Sequence, residues 1–207
     1  MTLTKLKQAT IACLLLGMLT ACGSKTDQLI DVITEQSKVD EPAIAQLQET
    51  FNTQMTFMES FDDLLKDAAK KYEKVEEVRP GLQAEATTLK QSFETAHNQL
   101  VLTEEEMLKL EKLLTKAEKE ADYESVKALT EAYQAYKTAL ESVVTGNVEL
   151  MTTYESFLTD ITADMPFKDL EELIGSLNQA LATVNEAYEI YSELATQFQS
   201  LLTAQIN

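Results

Sequence analysis

Residues 44–75, IAQLQETFNTQMTFMESFDDLLKDAAKKYEKV, decide the fold that we predict for this chain. Core-type positions recur there at alternating steps of three and four, namely Ile44, Leu47, Phe51, Gln54, Met58, Phe61, Leu65, Ala68, Tyr72 and Val75. This spacing is typical of one face of a helix packed in a bundle. Met55 and Phe57 widen the face, as expected for a helix with more than one neighbour.

Three further runs with the same spacing follow, and turn signals separate them. Asp40-Glu41-Pro42 is a good helix start, and Arg79-Pro80-Gly81 predicts the first turn. Asp122 and Pro166 mark the next two breaks. We therefore predict helices over about 41–79, 82–121, 123–163 and 167–205. They form an all-α, antiparallel up-and-down four-helix bundle of helices about 40 residues long.

Two places inside these runs leave helix continuity open. Thr103 to Glu106 resembles a capping box, which would start a new helix, but the apolar phase continues across it. Gly146-Asn147 resembles a turn, and the phase again continues. We prefer an unbroken helix at both places.

Asn147 is the one polar position that we single out in the predicted core, because Val143 and Leu150 lie one step to either side. With turns near 80, 122 and 166, it falls level with Leu65, Phe93 or Ala96, and Val184. A buried amide there needs partners, and water or Thr183 would serve. The alternative is a flank position caused by a helix break at Gly146. A poorly bonded amide predicts that Asn147→Leu leaves stability unchanged or raises it.

The N-terminal segment resembles the signal peptide and lipobox of bacterial lipoproteins. Lys5 and Lys7 precede an apolar run that is too short to span a bilayer, and Leu19-Thr20-Ala21-Cys22 follows. The resemblance implies a signal peptide over 1–21, with Leu19, Thr20 and Ala21 read by the signal peptidase. Cys22 then becomes the lipidated N-terminus, carrying a diacylglycerol with or without an N-acyl group, and 22–40 a tether. The alternative is an ordinary secretory signal with a chance cysteine.

Charge and cysteine content bound the partners. The net charge is −18, and it becomes −20 without Lys5 and Lys7, because 15 basic residues then face 35 acidic ones. Nucleic acid is not an expected partner of such a surface. Cys13 leaves with the signal and Cys22 is acylated, so the mature chain has no free thiol. Membrane attachment is expected through the acyl chains, on the extracytoplasmic face.

No residue set points to a reaction or to a metal. His97 is the only histidine, and Glu94-Thr95-Ala96-His97 has the Glu-x-x-His spacing of di-iron bundles, but the core phase turns it toward the flank. The acidic clusters lack the loop pattern of calcium sites. Six of seven tyrosines lie on core positions, where they fill the core or, alternatively, stack on sugars.

The second half of the chain contains the Tyr133/Tyr136 pair, Tyr154 with Phe157, and Val184-Asn185 followed by Tyr188. With these features and Leu19 to Cys22, the mature chain resembles the YkyA-type cell-wall-binding lipoproteins of Gram-positive bacteria over its whole length. The resemblance implies an up-and-down four-helix bundle and binding to the cell wall, and it implies no catalytic residues. A charge of −20 departs from a simple version of wall binding, because anionic wall polymers repel it unless divalent cations bridge the two.

The functional hypothesis is a monomeric, non-enzymatic, lipid-anchored bundle without cofactors that binds wall material or an extracytoplasmic partner protein. The alternative is a lipoprotein that holds a small molecule or a lipid between its helices, for example in the service of a transporter. Large residues at most core positions argue against the cavity that this alternative needs.

Overall fold

The fold is all-α. The structure is a computed structural model and describes residues 24–68 and 72–206. It contains five helices, α1 (Lys25–Ala68), α2 (Glu73–Leu100), α3 (Glu104–Ala117), α4 (Tyr123–Asp160) and α5 (Phe167–Ile206). Within those residues, 91% are helical and none is in a strand. The predicted four-helix bundle is confirmed.

Two compact units divide the chain. Among the described residues, unit 1 comprises 24–44, 100–140 and 189–206, and unit 2 comprises 45–68, 72–99 and 141–188. Helices α1, α4 and α5 contribute residues to both units. The remaining helix is α3 in unit 1 and α2 in unit 2, so each unit contains four helical segments.

In unit 2 the side-chain pairs give the direction of each helix. Helices α1 and α4 are parallel, because the residue numbers increase together in the pairs Gln54–Asn147, Phe57–Tyr154 and Phe61–Phe157. Helix α2 runs against α4 through the pairs Gln83–Thr159 and Thr87–Glu155. This is the arrangement of successive antiparallel helices, in which every second helix points the same way.

Unit 1 has the same arrangement. Tyr133 meets Phe198 with ring centroids 5.3 Å apart, and Tyr136 meets Tyr191 at 5.7 Å, so α4 and α5 are antiparallel. The contacts Thr26–Glu120 and Asp40–Lys137 show that α1 runs parallel to α4.

The first helix begins earlier than predicted. Helix α1 starts at Lys25 and passes through Pro42, so the prediction of a tether over 22–40 is wrong for residues 25–40. Leu29 and Ile33 lie one helical turn apart and are fully buried. Their burial stabilises helix here, and the side chain of Asp40 is buried instead of capping a helix start.

The first turn is also displaced. Helix α1 ends at Ala68 and α2 begins at Glu73, so Pro80 and Gly81 lie inside α2 and the predicted end at 79 is wrong. Val75 and Leu82 are two turns apart on one face of α2 and both are buried. This packing holds the helix through a proline that removes one backbone donor.

The remaining helix bounds settle the two places left open. The predicted helix over 82–121 is two helices, because α2 ends at Leu100 and α3 begins at Glu104 behind a complete capping box. The Thr103 hydroxyl accepts from the Glu106 amide, and the Glu106 carboxylate accepts from the Thr103 amide. Helix α4 continues through Gly146, and α5 starts at the predicted residue; both predictions are confirmed.

Candidate functional site

The predicted lipid-attachment motif lies outside the described residues. Leu19, Thr20, Ala21 and Cys22 all precede Ser24, the first residue that the structure describes. Signal-peptidase recognition and lipidation of Cys22 therefore stay predictions. What the structure gives is the start of the fold next to that motif.

Ser24 caps helix α1. Its hydroxyl accepts a hydrogen bond from the amide of Asp27 at 2.9 Å, and the Asp27 carboxylate accepts from the Ser24 amide at 3.4 Å. The amide of Gln28 donates to the Ser24 carbonyl at 3.2 Å. Two of the four amides that a helix start leaves without intrahelical partners, those of Lys25 and Thr26, remain to be bonded.

Glu120 bonds those two amides. Its carboxylate accepts from the amide of Lys25 at 2.7 Å and from the amide and hydroxyl of Thr26, both at 2.9 Å. These hydrogen bonds lower the pKa of Glu120, because they favour the ionised carboxylate. Glu120 lies in the connection between α3 and α4, so a contact across unit 1 fixes where α1 begins.

Asn147 lies in the core of unit 2, as predicted, and its side chain is fully buried. The amide nitrogen donates to the Val143 carbonyl at 2.7 Å, and the amide oxygen accepts from Gln54 Nε2 at 2.8 Å. The expectation of a poorly bonded amide is therefore wrong. The partner is Gln54 and not Thr183, which is exposed and bonds within its own helix.

The displaced first turn explains the unexpected partner. A turn near 80 places Leu65 level with Asn147, whereas α1 ends earlier, at Ala68, and the α1 residue level with Asn147 is Gln54. The predicted level with Val184 is confirmed, because a Cβ added at Gly146 would lie 3.3 Å from Val184 Cγ2. The register of α1 on α4 therefore differs from the prediction, whereas that of α5 on α4 agrees with it.

A buried ion pair in unit 1 is the feature that the sequence analysis missed. Lys137 Nζ donates to Asp40 Oδ2 at 2.6 Å, and the two side chains are 1% and 2% exposed. The sequence indicates a core position for Lys137, because it lies four residues after Tyr133 on the same helix face. It gives no such indication for Asp40, which is predicted to cap a helix.

The surroundings of the ion pair are aromatic and incompletely bonded. Asp40 Oδ1 and the Tyr133 hydroxyl are buried without a hydrogen bond of normal geometry. Burial raises the pKa of Asp40, and this effect outweighs the opposing influence of the Lys137 charge and of the hydrogen bonds from Lys137 and Gln36. Burial likewise raises the pKa of Tyr133. The arrangement is a buried ion pair in an aromatic part of the core.

The core tyrosines mostly fill the core. Tyr133, Tyr136, Tyr154 and Tyr191 are buried, and all four rings contact other aromatic rings. Tyr136 stacks on Phe198 with centroids 5.2 Å apart. In this conformation the four rings are therefore not accessible for stacking on a sugar.

His97 lies on the flank, as predicted. It is partly exposed, and its Nε2 is 3.6 Å from the Glu141 carboxylate, while Glu94 is exposed. Across residues 24–68 and 72–206, no three or more side chains of metal-ligand type converge. A search of the same residues finds no helix with the length and apolar character needed to cross a bilayer.

The chain matches no family model, no curated protein and no solved structure. The resemblance to YkyA-type lipoproteins therefore stays a prediction.

Proposed function

We propose that this protein is a lipid-anchored, non-enzymatic helical bundle on the extracytoplasmic face of the membrane, where it binds wall material or a partner protein. The observation that carries the proposal is the stretch Leu19 to Cys22, which follows a charged and then apolar leader and directly precedes a folded helical body. Covalent lipid on Cys22 would hold such a body at the membrane without a spanning helix.

An exposed apolar stripe supports the partner-protein version. Phe167 is 73% exposed and Ile174 is 37% exposed, and Leu170 lies between them on the same face of α5. Apolar side chains at this helical spacing are typical of surfaces that dock another protein. The wall version depends on divalent cations, because the mature charge of −20 repels anionic polymers.

Labelling with a fatty acid in the producing cell tests the anchor. Cys22→Ala should abolish incorporation, because the acylated thiol is absent. Cys13→Ala is the matched control, since it removes the other cysteine from the predicted signal peptide and should leave labelling unchanged. Label in the Cys22→Ala protein would refute the anchor.

Retention on purified peptidoglycan, with and without calcium, separates the two binding versions. Retention that requires calcium supports bridged binding to the wall. No retention in either condition removes the wall version and leaves the partner protein. A variant with Phe167→Ser and Ile174→Ser should keep wall retention, because it leaves the acidic side chains in place.

A second candidate function is binding of a small polar ligand inside unit 1. The observation in its favour is the pair of buried atoms without hydrogen bonds, Asp40 Oδ1 and the Tyr133 hydroxyl. Native mass spectrometry of the purified protein should then show a mass above that of the polypeptide with its acyl groups. Asp40→Leu with Lys137→Met should lose the extra mass, and a bare polypeptide mass in the unaltered protein would refute this candidate.

A further inference from the structure

The distance from the predicted lipid to the folded body is very short. Cys22 and Lys25, the first residue of α1, are three residues apart. A fully extended chain covers at most about 3.6 Å per residue, so about 11 Å separates the two Cα atoms at most. A tether over 22–40 would have allowed several times that distance.

The start of α1 is held in place and does not supply extra tether by unwinding. The first four amides of the helix are all bonded, two of them within the capping turn and two by the Glu120 carboxylate. Unwinding the first turn would break these bonds and would also expose the buried side chains of Thr26 and Leu29.

We infer that unit 1 rests directly on the lipid surface, and that the contact is made by the start of α1 together with the connection between α3 and α4. This inference rests on the proposed lipidation of Cys22. It adds that one defined end of unit 1 faces the membrane. The proposed anchor alone would fix neither the orientation of the folded body nor its distance from the membrane.

Chain length, and not charge, brings this end to the membrane. Acidic side chains outnumber basic ones there, with Asp27, Glu118, Glu120, Asp122 and Glu124 against Lys25, Lys116 and Lys119. An acidic excess repels an anionic surface. The contact should therefore form on neutral phosphatidylcholine vesicles and weaken on vesicles that contain anionic lipid.

Single-cysteine labelling of the full, acylated protein tests the inference. The mature chain has no cysteine other than Cys22, whose thiol carries the lipid, so a fluorophore reacts only at an introduced cysteine. Ala121→Cys places it in the exposed connection beside Glu120. Val39→Cys is the matched control, because this exposed position of α1 lies 14 residues after Lys25, about 21 Å along the helix.

The readout is quenching by a quencher attached to lipid headgroups in phosphatidylcholine vesicles. We expect several-fold stronger quenching at Ala121→Cys than at Val39→Cys, and the same result at Glu124→Cys, a second exposed position at this end. A flexible Gly-Ser insertion between Gly23 and Ser24 should abolish the difference.

Two other outcomes would overturn the inference in distinguishable ways. Protein that floats with the vesicles but is quenched equally at both positions would keep the anchor and refute the membrane-facing end. Protein that does not float with the vesicles would refute the proposed lipid anchor itself.

Discussion

At the residue scale, the amide pair Gln54–Asn147 determines what the buried asparagine does for stability. Each amide satisfies the other inside unit 2, where both side chains are almost completely buried. Removing one amide leaves its partner buried without that hydrogen bond, which costs more than the bond itself contributes. The pair therefore fixes the register of α1 on α4 at one level, a role known for polar groups in helix interfaces.

Asn147→Leu should lower the free energy of unfolding by about 1 to 3 kcal/mol, because Gln54 is left without its acceptor. Chemical denaturation of the body from Gly23 onward measures this change. Gln54→Leu is the matched single variant, and combining the two substitutions should cost less than their sum. Unchanged or increased stability in Asn147→Leu would mean that the amide pair contributes nothing.

Lys137→Met should be more damaging, by about 3 to 5 kcal/mol, because it leaves the Asp40 carboxylate buried without its cation. Removing both charges with Asp40→Leu and Lys137→Met should restore most of the loss or exceed the original stability, since buried ion pairs are costly to desolvate. Urea unfolding of the single and double variants decides this. A double variant as unstable as Lys137→Met would show that the ion pair itself stabilises the fold more than apolar side chains do at these two positions.

The ion pair should also make stability depend on pH. Burial raises the pKa of Asp40 above its ordinary value of 3.8. Between these two pKa values, the carboxyl group holds more protons in the folded state than in the unfolded state. Stability from Asp40 then falls as the pH rises through the raised pKa. Relative to the Asp40→Leu, Lys137→Met variant, the unaltered protein should lose stability as the pH rises from 3.8 through the raised pKa of Asp40. An opposite slope would mean that Lys137 lowers this pKa.

At the element scale, the distinction between a turn and a helix at Pro80-Gly81 has a direct test. Gly81 lies inside α2, and a Cβ at this position meets nothing within 4 Å. Gly81→Ala should therefore stabilise the protein by about 0.5 to 1 kcal/mol, because alanine has less conformational freedom to lose. Thermal or chemical unfolding measures the gain.

Gly146→Ala is the matched control for that prediction, since it makes the same change in α4. There the new methyl group would lie 3.3 Å from Val184 Cγ2, so the gain should be smaller or absent. A clear loss of stability in Gly81→Ala would instead indicate the turn that the sequence first predicted.

The helices could be predicted from sequence because core positions at steps of three and four persist through nearly all of α1, α4 and α5. Several helix ends could not, because the same phase continues across real breaks and through apparent ones. Met107 keeps the phase after Thr103, yet it lies in the first turn of a new helix and is 41% exposed. Pro80 breaks no helix, because the packing of Val75 and Leu82 outweighs one lost backbone bond.

The candidate sites divide along the same line. Burial of Asn147 followed from its own helix and was predictable. Its bond to Gln54 and the pairing of Asp40 with Lys137 depend on the register between helices. That register was not predictable because α1 ends at Ala68, where the sequence carries no proline or glycine to indicate a helix end.

At the scale of the whole molecule, charge is the dominant feature. The body from Gly23 onward carries a net charge of −20, with 35 acidic residues against 15 basic ones. Several of its surface ion pairs, such as Lys66–Asp63 and Lys168–Glu172, are largely exposed and contribute little. The buried Lys137–Asp40 pair is shielded from salt. Repulsion among carboxylates is therefore the long-range interaction that dissolved ions can change most.

Raising sodium chloride from about 0.05 M to about 0.5 M shortens the screening length from roughly 14 Å to roughly 4 Å. This should stabilise the body and raise its melting temperature by about 2 to 4 °C for each kcal/mol gained. Calorimetry at both salt concentrations measures the shift, and a sucrose series of matched osmolality controls for general solvent effects. A melting temperature that falls with salt would mean that attractive surface pairs, and not carboxylate repulsion, dominate the electrostatics of the bundle.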